Sequence, residues 1–169
     1  MEELAQIIRP SIALSAWTTL ALSGLLLIIS GFMSSSEVAF FSLSPSDIDE
    51  IKEEEHPADS ALLELLKDSE RLLATILIGN NLVNVAIVIL TGYAFSQIFD
   101  FGTSPLLGFL VQTVILTLLL LLFGEIIPKV YAQARPLAFS RFSAGKMRLI
   151  SRALRPFATL LMRTTSLVT

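Results

Sequence analysis

Of the 169 residues 53 % are hydrophobic and 16 % charged, and the mean hydropathy is +0.73, which is high for a water-soluble domain. With no cysteine and one histidine, disulfides and thiolate metal sites are excluded, and zinc or copper chemistry has almost nothing to build on. The net charge of −3 says little, because the charges are segregated along the chain.

Three charge-free runs, residues 10–36, 72–99 and 101–124, each exceed the roughly 20 apolar residues a helix needs to cross a bilayer. They predict helices at about 12–33, 73–98 and 105–127. The first is too long for a secretory h-region and lacks a small-x-small cleavage site, so it reads as an uncleaved span. Between the first two spans, the segment 38–72 holds ten acidic residues, among them Glu53-Glu54-Glu55, and the lone His56. It reads as a solvated helical hairpin held down by Leu62, Leu63, Leu65 and Leu66, with a cation-responsive surface as the sharper alternative. His56 itself reads as a solvated surface residue.

From Ile126 onward the chain has eight basic residues and no acidic one. Leu137, Phe139, Phe142, Met147, Leu149 and Ile150 recur among the arginines, which predicts basic amphipathic helices over about 136–169, lying on the membrane surface among anionic lipids. Arginines at 141, 148, 152, 155 and 163 argue against a fourth span. The fold class expected is therefore an all-α membrane protein: three transmembrane helices, a cytoplasmic helical hairpin and basic juxtamembrane amphipathic helices, one domain over 1–169. The basic residues also set orientation. An N-terminus outside leaves Arg9 outside and eleven in the cytoplasm, namely Lys52, Lys67, Arg71 and the eight C-terminal ones. The positive-inside rule favours that arrangement. The location expected is a multi-pass protein of the plasma (inner) membrane. The chain stops at Thr169 without a polar domain, which suggests the membrane portion of something larger.

Polar residues sit inside each span. Ser30 and Ser34 lie four apart, with Glu37 on the same stripe; serines in such helices commonly bond back to their own backbone or permit close packing. Asn80, Asn81 and Asn84 follow Gly79, more carboxamides than a helix pair needs as glue. The third span ends in Gly124-Glu125-Ile126-Ile127-Pro128-Lys129. In an α-helix Pro128, lacking an N–H, leaves the Gly124 carbonyl without its usual donor, beside the carboxylate of Glu125. A Glu125–Lys129 ion pair is the plainer alternative. Hydroxyls, amide oxygens, one carboxylate and one bare carbonyl form an all-oxygen set, which suits Mg²⁺, Ca²⁺ or Na⁺ rather than a transition metal. With the orientation above, Ser34, Asn81 and Glu125 fall at similar depth, toward the cytoplasmic ends of their spans.

At Ser30–Ala39, Ile78–Asn84 and Gly124–Lys129 the chain resembles the transmembrane domain of the CNNM/CorC (DUF21) magnesium transporters, with the three blocks in family order. The resemblance implies a homodimer of three-span subunits, each holding a largely dehydrated Mg²⁺. Transport would proceed by alternating access, with Mg²⁺ exported and Na⁺ entry as the coupling reaction. The ligands it implies are Ser30, Ser34, a choice among Asn80, Asn81 and Asn84, the Gly124 carbonyl, and Glu125. Cytoplasmic CBS domains would follow C-terminally. No catalytic residues, bound cofactor or nucleic-acid partner are expected, and an enzyme is disfavoured because the spans offer no base–nucleophile pair. Two alternatives stay open: a non-transporting membrane scaffold, and a transporter of Na⁺ or another cation regulated by Mg²⁺.

Overall fold

The computed structural model describes residues 14–53, 56–99 and 104–165, with side chains as far as residue 162. Arg9, Glu54, Glu55, Asp100, the side chain of Arg163 and residues 166–169, all used in the sequence reading, lie outside the described residues. In chain order the helices are α1 (Leu14–Phe41), α2 (Pro45–Lys52), α3 (Asp59–Leu66), α4 (Ser69–Ile98) and α5 (Pro105–Leu119). A π-helical stretch, Leu120–Ile126, joins α5 to α6 (Ile127–Ala134); α7 (Pro136–Ala153) and α8 (Arg155–Thr165) complete the fold.

Among the described residues three helices are long and apolar enough to cross a membrane: α1, α4 and the continuous rod Pro105–Ala134. The protein is thus an all-α, multi-pass membrane protein. At 1.5 Å per residue, the 28 to 30 residues of each helix span more than the ~30 Å hydrocarbon layer, so their ends project into the headgroup zone. The spans overrun the expected limits at one end of the bundle. α1 runs on through Ser34-Ser35-Ser36-Glu37 to Phe41, α4 begins at Ser69, and the third rod passes Pro128 and continues to Ala134. Proline normally breaks an interior helix. Here the π-helical stretch immediately before it has already altered the hydrogen-bond register, with the Ile127 N–H bonded to Leu122 O, five residues back.

The segment between the first two spans forms two short helices with distinct start signals. Ser44 caps α2: its hydroxyl accepts from the Asp47 N–H at 3.2 Å, and the Asp47 carboxylate accepts from the Ser44 N–H at 2.8 Å. Pro45 occupies the first turn, where its missing N–H costs nothing. The Asp68 carboxylate accepts from Arg71 N–H at 3.2 Å and so starts α4.

The core lies at this end of the bundle rather than between the spans. Met33, Phe40, Ile51, Leu62, Leu65, Leu72, Ile76 and Met147 form it, and Leu63, Leu66, Leu137 and Ile150 pack against it. The four leucines expected to hold the acidic segment down are all engaged. α7 turns Ser140, Ser143, Ala144 and Met147 inward, while Phe142 and Leu149 stay exposed; α8 likewise exposes Phe157 and Leu160.

Arg141 fastens α7 to the acidic segment through its shortest ion pairs. The Arg141 Nε and Nη2 donate to Asp59 Oδ1 and Oδ2 at 2.8 and 3.0 Å, and its Nη1 to Glu50 Oε1 at 2.7 Å. Asp59 is fully buried. The guanidinium's hydrogen bonds hold its carboxyl below the usual carboxylate range, against the opposing effect of burial, with a lesser contribution from the His56 N–H. Asp59 in turn raises the Arg141 pKa above its ordinary value.

Candidate functional site

Serines and threonines in apolar helices usually turn their hydroxyls back on a carbonyl of the preceding turn. Most here do so: Ser23 to Thr19 O, Ser36 to Phe32 O, Thr75 to Arg71 O, Thr91 to Ile87 O and Thr113 to Phe109 O, all between 2.6 and 2.9 Å. Ser30 and Ser34 do not. The Ser30 hydroxyl points across to α4, 3.0 Å from Asn80 Oδ1 and 2.7 Å from Asn84 Oδ1. Ser34 is fully buried, and its hydroxyl has no hydrogen-bond partner.

The third rod reaches the same place through Gly124. A Cβ on that residue would lie 3.1 Å from Ser30 Oγ, so only glycine lets the backbone come this close without displacing the hydroxyl. Ser30, Asn80, Asn84 and Gly124 are therefore brought together from three spans. They form a part-buried cluster in which one hydroxyl hydrogen faces two amide oxygens. A hydroxyl donates once, so it serves one of the two amide oxygens at a time. An unpaired polar atom away from water costs free energy comparable to a lost hydrogen bond, and Ser34 Oγ, one turn along α1, is such an atom.

Asn81 stands apart. It is exposed and its Nδ2 donates to Leu77 O at 2.8 Å on its own helix, so the structure turns it away from the cluster that Asn80 and Asn84 share. Glu125 follows Gly124, is half-buried, and makes no hydrogen bond or ion pair among the described residues. The Glu125–Lys129 pair considered from spacing does not form. Lys129 Nζ instead lies 3.3 Å from Glu37 Oε2 on α1, because the π-helical stretch breaks the regular four-residue spacing between 125 and 129. Glu37 is thereby neutralised and Glu125 is left uncommitted. The same register change refines the backbone expectation. With bonds running five residues back, the carbonyl facing the missing Pro128 N–H is that of Phe123, and it sits 3.1 Å from the position of a Cβ on Gly31.

Two contacts at this corner carry no sequence signal beyond residue type. The Ser35 hydroxyl donates to Pro128 O at 2.9 Å, and Gly31 packs directly beneath the Pro128 ring, its Cβ position 3.0 Å from Pro128 Cγ. Together with Glu37–Lys129 they bind α1 to the third rod. On the other flank Met33 covers Gly79, where a methyl would collide with its Cε. Among the described residues no group of three or more His, Cys, Asp or Glu could hold a metal ion. A cation at this cluster would thus be met chiefly by neutral oxygens.

The chain matches the family model described as the Cyclin M transmembrane N-terminal domain over residues 21–169. It belongs to that family. It is 29 % identical over 108 residues to the UPF0053 inner membrane protein YfjD of Escherichia coli (strain K12), covering 64 % of this chain and 24 % of that protein. It is 36 % identical over 105 residues to the DUF21 domain-containing protein At1g55930, chloroplastic, of Arabidopsis thaliana, covering 62 % of this chain and 15 % of that protein. The chain thus spans less than a quarter of the length of these curated relatives. The family model covers α1 from residue 21 onward, the other two spans in full, and every candidate site residue.

Proposed function

We propose that this chain is the membrane domain of a transporter that moves Mg²⁺ across the plasma (inner) membrane. The ion would be held by Ser30, Ser34, Asn80 and Asn84 with the Gly124 backbone and Glu125. The observation that carries the reading is the convergence of the Ser30, Asn80 and Asn84 oxygens from two spans, one turn along α1 from the buried, unpartnered Ser34 hydroxyl. A hard cation satisfies such lone pairs, and stripping water from Mg²⁺ requires several well-placed oxygens. Glu125 supplies the one uncommitted carboxylate nearby, which implies modest affinity and ready release. Asn81, engaged on its own helix, enters the set only if its side chain turns.

The reading extends to export by alternating access, driven by Na⁺ entering the cell. The N-terminus is assigned outside and α2, α3, α7 and α8 to the cytoplasm, following the lysine and arginine distribution. A homodimer accounts for the third rod, whose surface is apolar and almost wholly uncovered in one chain. CBS domains attached after α8 fit the small share of the relatives that this chain spans.

The test is Mg²⁺ flux in proteoliposomes, with and without an opposing Na⁺ gradient. Wild-type flux should respond to that gradient, and Asn84→Ala and Ser34→Ala should abolish flux while the folded dimer persists on size-exclusion chromatography. Undiminished flux in both variants would reject the site. A scaffold is the second reading, favoured by the Ser30–Asn84 bond as a link between α1 and α4. It requires that the wild type show no flux and that Asn84→Ala lose assembly instead.

A further inference from the structure

Away from the ion cluster, where α3 and α4 meet α7 and α8, lies a cleft of about 300 Å³ lined by Arg71, Arg148, Arg152 and Arg155 together with Glu64 and Asp68. Four guanidiniums face two carboxylates, a surplus of two positive charges. The carboxylates are thinly shared. Arg148 and Arg152 both rely on Glu64, at 3.4 and 3.5 Å, distances at the outer limit of a hydrogen bond. Arg71 spends one nitrogen on Asp68 at 3.1 Å, while its Nε–H is shut from solvent without an acceptor. The Arg155 side chain has no partner among the described residues. The cleft therefore holds more fork-shaped donors than acceptors, and the planar bidentate guanidinium suits a phosphate better than any other common anion.

We infer that this cleft is a stoichiometric binding site for the phosphate of an anionic phospholipid headgroup. Depth selects a lipid over a free phosphate. Arg71 lies in the first turn of α4, where the span leaves the hydrocarbon layer, which puts the cleft at headgroup level. The helices contributing the other three arginines expose Leu149, Phe157 and Leu160, side chains suited to the same leaflet. A diffuse basic surface would attract anionic lipid without counting it; a walled cleft with an unshared cation should retain one molecule per chain.

Native mass spectrometry of the purified full chain, released from nanodiscs of phosphatidylcholine doped with phosphatidylglycerol, tests this. One retained phosphatidylglycerol per chain is expected, saturating as the dopant rises, and none from pure phosphatidylcholine. Arg152→Gln and Arg155→Gln should each weaken retention about fivefold, the worth of one arginine near an anionic surface. Arg155→Gln breaks no ion pair, so it reports on binding even if the Arg152 variant folds poorly. Glu64→Gln should tighten retention by removing the competing carboxylate, the opposite of what a purely structural role for the Glu64 pairs would give. Non-saturating lipid adducts, equal in the wild type and Arg155→Gln, would overturn the site. A thermal shift as large with inorganic phosphate as with phosphatidylglycerol, at equal concentration, would overturn its assignment to lipid.

Discussion

Ser30 shows how a single side chain separates structure from function. Its hydroxyl links α1 to α4, and a bond of that kind inside a membrane protein is worth about 1 kcal/mol. Ser30→Ala should therefore leave unfolding in mixed micelles shifted by about 1 kcal/mol or less, while Mg²⁺ flux falls to background; comparable losses in both would mark the serine as packing alone. Glycine is the converse case. Gly31→Ala sets a methyl against the fixed Pro128 ring and the Phe123 carbonyl, and neither can yield without moving the rod. The gain in helix propensity, about 1 kcal/mol, is offset by overpacking of about 1–3 kcal/mol, so a net loss of stability is expected in the same unfolding assay. The asparagine pattern marked these residues out in the sequence, and Ser30, Asn80, Asn84 and Gly124 do converge. That Asn81 would turn back on Leu77 could not be read, because two neighbouring asparagines differ only in which helix face the neighbouring spans cover.

The elements outside the spans are held together by charge as well as by leucine. Arg141→Ala removes the partner of a fully buried carboxylate, and stranding one charge of such a pair costs about 3–5 kcal/mol. Arg141→Lys should recover only part of this, since an ammonium cannot reproduce the two parallel bonds to Asp59. The same pair sets an acid limit. Asp59 has a folded pKa below its ordinary value, so the unfolded chain takes up its proton first as pH falls. Its contribution is complete above the ordinary carboxylate range and is lost as pH drops through the depressed value. Unfolding followed from neutral pH downward should show that loss in the wild type and a flatter profile in Asp59→Asn. At the N-terminus of α2, Ser44→Ala should cost about 1 kcal/mol. The capping box and the leucines were legible in local sequence. The Asp59–Arg141 pair was not, because its partners lie 82 residues apart; only the separation of an acidic segment from a basic one hinted at it. The π-helical stretch was likewise hidden. Pro128 announces a disturbance, but the choice between a kink and a widened turn depends on what Gly31 and Ser35 offer the rod from α1.

At the scale of the whole molecule, three crossings read from charge-free runs are present, and their ends were underestimated. Ser34, Ser35 and Ser36, the polar run that appears in the sequence to close the first span, are covered by other helices rather than by water. Orientation is open to direct measurement because the chain has no cysteine. Lys52→Cys, at an exposed position in α2, should react with an impermeant maleimide only after cells are permeabilised. Ser104→Cys, beside the opposite end of the spans, should react in intact cells. The reverse pattern would invert the proposed topology. The widened turn at Leu120–Ile126 bears on how any positional scan of the third rod should be interpreted. One extra residue per turn rotates everything beyond it by about 100°, so the stripe facing lipid before Leu120 and the stripe facing lipid after Ile126 are out of phase. A tryptophan scan from Leu106 to Val130 should resolve into two offset waves of tolerance, and a single unbroken 3.6-residue wave would mean that the rod is wound uniformly.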